Sequence, residues 1–564
     1  MTAKKLTPLI LLIFTLFYAW RFVNFTIPPF EDAAMLMRYA QNLAGGHGIV
    51  WNIGEAPVDG ATDFLFMVAS AALIKLGLPV GRAVRGLGFA AHLVTVLLVY
   101  FVNRRIHKAP ESLSFLSGLY LALGTGLSYV AAYFGTPFFA LAAASTWTFG
   151  LLLMKRDDAP LWLSLAFALS GLATGLIRPE GVILASLMLV SVIYMRSAFG
   201  VQQLAAGQSD NELSDSRRKR NLSIILTFAG VFLLFGGAYF LWRWDYFGYP
   251  LPNPFYKKGG GLHWDSLTNS LLNTLRLCLP FLIAYILGFR SRETTRQTLA
   301  YLMPVIGFAV SFILISDEMN YGARFQYALV PVIAMSWTPL VRGLSLSWPQ
   351  QVNGAVLSLS KGRERSAYLA AAIALGAGLV YYSWFQNCFL ASYQQTCFTP
   401  YEQDGRLDMG RLLAEYRGKG YVIATTEAGL IPYYSGWTAI DTWGLNDQFV
   451  AHNGSLTTEY LDRYKPHVIM FHDYYSPLVP PGLTDANLAQ PWFRMTITMK
   501  EYAESRGYIL AAVYGDSPYD AHYYYVRPDF EDSERIAEQI SSMKRYYWFA
   551  TGKRAINYAG YPEP

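Results

Sequence analysis

Leu6–Phe25 reads LTPLILLIFTLFYAWRFVNF, and from Phe30 to Gly60 the chain continues FEDAAMLMRYAQNLAGGHGIVWNIGEAPVDG. The first stretch is apolar over most of its 20 residues, and a helix of that length, at ~1.5 Å per residue, covers the ~30 Å of a bilayer core. Lys4 and Lys5 precede it as they would a signal peptide. The run exceeds the usual apolar segment of such a peptide, however, and no small-residue cleavage site follows, so a retained helix is expected. The second stretch sets two adjacent carboxylates, Glu31 and Asp32, just outside that helix. A lipid-borne substrate would present its head group there.

Composition agrees with a membrane setting. Of 564 residues, 53% are hydrophobic, 16% aromatic and only 15% charged, which is too apolar for a soluble protein of several domains. The net charge of +6 is small for this length and its basic residues cluster in short loops, so nucleic-acid binding is not indicated. Apolar runs of spanning length occur at 7–26, 84–103, 113–130, 136–154, 160–177, 180–197, 221–243, 266–289, 298–315, 326–342 and 367–385, which predicts eleven transmembrane helices.

Basic clusters predict the orientation. Lys4 and Lys5, Arg104 with Arg105 and Lys108, Lys155 with Arg156, Arg217 to Arg220, Arg290 with Arg292 and Arg296, and Lys361 with Arg363 and Arg365 all belong on the cytoplasmic side. They alternate correctly only if the apolar stretch Thr62 to Leu78 does not cross. With Asp63 at its start, Lys75 inside and Gly77 and Pro79 at its end, it reads as a juxtamembrane helix. The N-terminus is then cytoplasmic, a first outer loop runs over 27–83, a membrane domain over 1–386, and residues 387–564 form an extracytoplasmic domain. Strand-like GYVIATTEAG, KPHVIMFH and YILAAVYG, with an amphipathic helix near Met409 to Tyr416, make that domain mixed α/β. Residues 198–220 and 343–366 are polar and are expected to be flexible connections.

The predicted outer face gathers Glu31, Asp32, Arg38, Asp59, Asp63, Arg178 with Glu180, Asn253 with Lys257, and Asp317 and Glu318 with Arg324. A carboxylate there can take a proton from an acceptor hydroxyl while cations hold a leaving phosphate. N-capping of a helix that begins after Phe30 would account for one acid but not for two. Arg38, seven residues after Glu31, shares its helix face. Arg178, Lys257 and Arg324 are further candidates for donor phosphate, although Arg324 can equally pair with Asp317 or Glu318 in its own loop. Asp59, Asp63, Asn253 and Tyr256 are candidates for sugar or acceptor, as are Glu427, Tyr433 and Tyr434 in TTEAGLIPYYSGW, since aromatics beside carboxylates often bind sugars. The histidines lack zinc spacing and no metal ligand set is predicted, while a hard divalent cation at Glu31, Asp32 or Asp59 is left open. Cys278 is expected to be a buried thiol; Cys388 and Cys397 are either unrelated thiols or a disulfide.

The first-loop motif, together with RPEG at Arg178–Gly181, YGYPLPNPFYKK, YGARF and the C-terminal AGLIPYYSG and DTWGLND, resembles the polytopic GT-C glycosyltransferases, among them the mycobacterial terminal arabinofuranosyltransferases and their bacterial relatives. The resemblance implies a bacterial inner-membrane enzyme that moves a sugar, arabinofuranose in that family, from a polyprenyl phosphate to a cell-envelope glycan or lipid. It also implies that the first acid of the loop pair is the base. That family more usually begins the pair with aspartate where this chain has Glu31, so the pair as a whole is carried over. The rival reading is a transporter or flippase for lipid-linked sugars, which would place its ionisable groups midway along spans in paired halves.

Overall fold

The computed structural model describes residues 3–156, 158–205, 211–259, 261–289, 292–342, 357–397, 405–477, 479–517, 519–543, 547–548 and 554–555. The chain is a largely helical multi-pass membrane protein with a C-terminal mixed α/β sheet domain. Each of the eleven apolar runs falls mostly on helical backbone. Among the described residues, five helical segments are long and apolar enough to cross a membrane: Val80–Ile106, Glu111–Ala131, Thr136–Lys155, Asp215–Phe247 and Trp264–Gly288. The bundle packs through small residues such as Ala140, Ala143 and Ala144, which let helices approach closely where lipid supplies no hydrophobic drive. Its two most deeply buried indoles are satisfied across helices, Trp147 donating to Ser336 at 2.9 Å and Trp337 to Ser117 at 3.0 Å.

The loop that follows the first apolar run forms two helices. After α1 (Ala3–Phe22), Pro28 and Pro29 hold the chain extended, and α2 (Glu31–Ala44) begins directly on the acid pair. The stretch expected to lie at the membrane surface is α3 (Phe64–Lys75), 12 residues long. It rises only ~18 Å, too little for a ~30 Å core, and packs on α2 and on the helix Val80–Phe101.

Among the described residues the C-terminal domain carries a five-stranded sheet, β1 (Val422–Thr425), β2 (Thr438–Asp441), β3 (Val468–Asp473), β4 (Ile509–Ser517) and β5 (Asp520–Val526), in the order β2-β1-β3-β5-β4. The first three strands are parallel neighbours, and β5 runs antiparallel to both β3 and β4. One face of the sheet buries Ile423, Val468 and Met470 in the same core as Leu36, Met37, Tyr39 and Trp51 of the loop after the first apolar run. The loop also closes the exposed edge of β2: Asn52 accepts from Ala439 N at 2.9 Å and donates to Ala439 O at 3.0 Å, and Trp51 Nε1 donates to the same carbonyl at 3.0 Å. An open strand edge is a template for unwanted pairing, and α2 with its following loop removes it.

Two expectations need correction. Cys388 and Cys397 lie on one continuous helix, Leu357–Cys397, so nine residues of helix separate them by ~13.5 Å, beyond the ~7 Å that a disulfide can bridge. Cys388 is a free thiol, as is buried Cys278, while the Cys397 side chain lies outside the described residues. The polar connections expected at 198–220 and 343–366 are helical over 198–205, 211–220 and 357–366, and residues 206–210 and 343–356 lie outside the described residues.

Candidate active site

Neighbouring residues on an α-helix point ~100° apart, and at the first turn of α2 this divides the acid pair. Glu31 turns toward the α/β domain. Its Oε1 accepts from Gly429 N at 2.5 Å and Leu430 N at 3.1 Å, the first amides of the helix Leu430–Ser435, where a carboxylate meets the positive end of the peptide dipoles. Only glycine fits at 429, because a Cβ there would stand 2.1 Å from the Glu31 carbonyl oxygen. The second oxygen, Oε2, is buried without a hydrogen bond among the described residues, 3.9 Å from Arg406.

Asp32 turns the other way, into a cavity of about 430 Å³. Met35 and Leu36, three and four residues on, line the same cavity, as a helix face requires. Asp32 pairs there with Arg324. Arg178 lies between two carboxylates, 3.1 Å from Asp63 and 2.5 Å from Glu180. Its guanidinium and that of Arg324 both rest on the Phe325 ring, at 4.6 and 5.0 Å. Lys258 faces Glu318 at 3.3 Å. All seven of these charged side chains line the cavity, and Leu251, Phe255, Phe312, Leu314 and Ile315 give it an apolar wall.

Arg324 owes its position to an unusual turn. Met319, Gly322 and Ala323 take φ of 64°, 62° and 62°, the left-handed region that non-glycine residues seldom adopt. The turn is clasped by Asn320, which accepts from Phe325 N at 3.0 Å and donates to Gln326 at 2.8 Å. Strain held in this way is common where a side chain must be aimed. Arg324 Nε is buried and has no hydrogen-bond partner among the described residues, and an orphaned buried donor costs free energy unless a ligand fills it.

Electrostatics set the two acids apart. Burial pushes Glu31 up, to about 8, with Arg406 opposing and Glu427 adding to the rise. Burial would raise Asp32 as well, but Arg324, Lys258 and Arg178 outweigh it and hold this carboxyl below its ordinary value. At neutral pH one member of the pair is mostly protonated and the other is ionised.

Several predicted site residues lie elsewhere. Arg38 does share the Glu31 face, but that face docks on the α/β domain: its guanidinium donates to the carbonyls of Trp51 (2.8 Å), Trp437 (2.8 Å) and Pro432 and to Asn52 Oδ1 (2.8 Å), and it stacks over Trp51. Lys257 sits over Trp443 at 4.2 Å, and its neighbour Lys258 is the one that lines the cavity. Asp59 pairs with Arg243 at 2.5 Å. Asn253 clips the membrane domain to the α/β domain by donating to Gly444 O at 2.8 Å and Asp447 O at 3.1 Å. Tyr256 packs on His452, Glu427 on Arg406 at 2.7 Å, and Tyr433 on Tyr434, none of them lining the cavity. Arg324 pairs with Asp32 rather than with Asp317 or Glu318. Glu31, Asp32 and Asp59, each left open as a holder of a hard cation, have three separate protein partners: the Gly429 amide, Arg324 and Arg243. Lys258 and Glu318 are cavity residues outside the candidate donor and acceptor sets: Glu318 stood only as a loop partner for Arg324, and the clue to Lys258 was a second lysine one position beyond Lys257.

Residues 392–539 match a sequence family described as a domain of unknown function (DUF8728). No curated protein matches the chain. Among solved structures, the chain is similar to ArnT from Cupriavidus metallidurans in the apo state, with a TM-score of 0.51 at 14% identity over 92% of this chain and 97% of that one. It is similar to the same protein bound to undecaprenyl phosphate, with a TM-score of 0.50 at 12% identity and the same coverage. It is also similar to the archaeal oligosaccharyltransferase AglB from Archaeoglobus fulgidus, solved with an inhibitory peptide and a dolichol-phosphate, with a TM-score of 0.51 at 10% identity over 92% of this chain and 80% of that one. At these identities the likeness is one of fold, and the fold extends over nearly the whole chain.

Proposed function

We propose that this protein is a membrane glycosyltransferase that takes a sugar from a polyprenyl phosphate and transfers it to a cell-envelope glycan or lipid on the extracytoplasmic face. Arabinofuranose is the sugar that the family resemblance favours, and about eleven spans with a cytoplasmic N-terminus is the topology that the basic clusters favour. The observation that carries the reading is the cavity that joins an ionised Asp32 to Arg324, Arg178 and Lys258 against an apolar wall. A lipid phosphate needs both parts. Two structures of similar fold were solved with undecaprenyl phosphate and dolichol-phosphate, which supports the same class of donor here.

Asp32, rather than Glu31, is the base in this reading. It takes the proton of an acceptor hydroxyl as that oxygen bonds to the anomeric carbon, and the bond from that carbon to the phosphate oxygen breaks, leaving its electron pair on the polyprenyl phosphate. Arg324 can serve both partners. One terminal nitrogen holds Asp32 while Nε is free for a phosphate oxygen, a division that the planar guanidinium allows. Lys258, whose partner Glu318 is half-exposed, is the cation most easily recruited to the phosphate. A transporter reading is less well supported, because these charges collect where the loops meet Leu445 of the α/β domain.

The test is turnover by the detergent-purified protein with a panel of polyprenyl-phosphate sugars, scored as release of free polyprenyl phosphate. Turnover with at least one donor supports the reading, and no turnover with any donor contradicts it.

A further inference from the structure

We infer that the α/β domain carries a binding site for a late first-row divalent metal ion of the zinc class, formed by His472, His522 and Asp520. His472 on β3 and His522 on β5 are direct partners in the antiparallel register, which places their side chains on one face of the sheet. Asp520 lies two residues before His522 on β5 and so shares that face. One ligand atom from each of the three side chains lies within 4.8 Å of the others, and His472 Nε2 already stands 2.6 Å from Asp520 Oδ1. Ligand atoms bonded to one ion at ~2.0–2.2 Å stand no more than about 4.4 Å apart, close to the spacing found here.

The donor set and its surroundings fit such an ion. Two imidazoles and one carboxylate suit zinc and its neighbours rather than magnesium or calcium, which take oxygen. Three protein ligands also leave a position for water or substrate. The far nitrogen of His472, Nδ1, is 4.0 Å from Glu427, and Glu427 is itself held by Arg406 at 2.7 Å. At 4.0 Å this carboxylate is beyond hydrogen-bond reach and stands behind the ring as a charge, on the side where outer-shell carboxylates of ligating histidines are found. The His472 main chain is fixed as well, its N–H donating to Thr426 Oγ1 at 3.1 Å and its carbonyl accepting from Trp492 Nε1 at 3.1 Å. Sequence spacing conceals the set, because fifty residues separate the two histidines and only strand register brings them together.

The experiment uses the full chain in detergent, its purification tag removed and the protein stripped with a chelator, titrated calorimetrically with Zn²⁺ and separately with Mg²⁺. A single Zn²⁺ per chain is expected, with Mg²⁺ not competing. His522→Ala and Asp520→Asn should each weaken Zn²⁺ binding roughly tenfold or more, while His47→Ala at an exposed position leaves it unchanged. Zn²⁺ should raise the thermal midpoint of the wild-type protein and of His47→Ala more than that of either ligand variant. Asp520 is half-exposed, so Asp520→Asn provides the test if His522→Ala does not fold. Absence of Zn²⁺ binding by the wild-type protein, or equal binding by wild type and Asp520→Asn, would overturn the site.

Discussion

Asp32 and Glu31 are one residue apart and belong to different parts of the molecule. The acid pair at the start of a helix was legible in the sequence, but its division was not, because that depends on where the α/β domain docks along α2. The pH profile should separate the two acids. If Asp32 is the base, kcat/KM loses no base on going from pH 7 down to about 5, because its carboxyl is held below the usual ~3.9. If Glu31 were the base, activity would rise through a limb near 8, where burial places that carboxyl. A limb near 8 that disappears in Glu31→Gln would contradict the assignment. Among the cations, Lys258→Ala should raise KM for the lipid donor roughly tenfold or more, the loss of one charge-assisted bond of ~1.5–3 kcal/mol. Lys257→Ala should change it little, because Lys257 faces Trp443; equal effects in the two variants would contradict the placement of Lys258.

At the scale of elements, α2 presents one face to the cavity and another to the α/β domain. Its start after Phe30 could be read directly, as could a helix within Thr62 to Leu78 and the strands GYVIATTEAG, KPHVIMFH and YILAAVYG. Strands β2 and β5 could not: β2 has only four residues, and the YYY run of β5 is buried on both faces, which removes the alternation that marks a strand. The shared Glu31 and Arg38 face was deduced correctly, yet its role was misread because the residues facing it, Gly429, Pro432 and Trp437, lie some four hundred positions further along. Arg38→Ala should therefore lower stability by about 1–3 kcal/mol through the buried carbonyls it leaves unpaired, with donor KM unchanged in the folded fraction. Gly429→Ala should be similarly destabilising, by about 1–3 kcal/mol, because its Cβ meets the α2 backbone. Thermal unfolding with parallel kinetics checks both, and a raised donor KM without loss of stability in Arg38→Ala would restore that residue to the phosphate site.

At the scale of the whole molecule, the loop after the first apolar run is the joint between the helical bundle and the sheet. It contributes Trp51 and Tyr39 to the domain core, Asn52 to the β2 edge, and Asp32 and Asp63 to the cavity. The α/β domain reaches the same cavity, contributing Leu445 to its wall. Composition and the spacing of apolar runs were enough to identify a multi-pass protein with a C-terminal α/β domain, because burial in lipid leaves a strong linear signal. Cavity membership left a signal only in part: Asp32, Asp63, Arg178 and Arg324 were candidates from their loops, whereas Lys258, Glu318 and Phe325 come together only through the turn at Met319–Ala323 and the short helix Asn253–Lys258. The most direct measurement compares Asp32→Asn with Glu31→Gln for release of polyprenyl phosphate from the preferred lipid-linked sugar, with both variants shown to be folded. Asp32→Asn should lose about 10²–10⁴-fold in kcat while Glu31→Gln keeps most of its turnover. Unchanged turnover in Asp32→Asn would contradict the account.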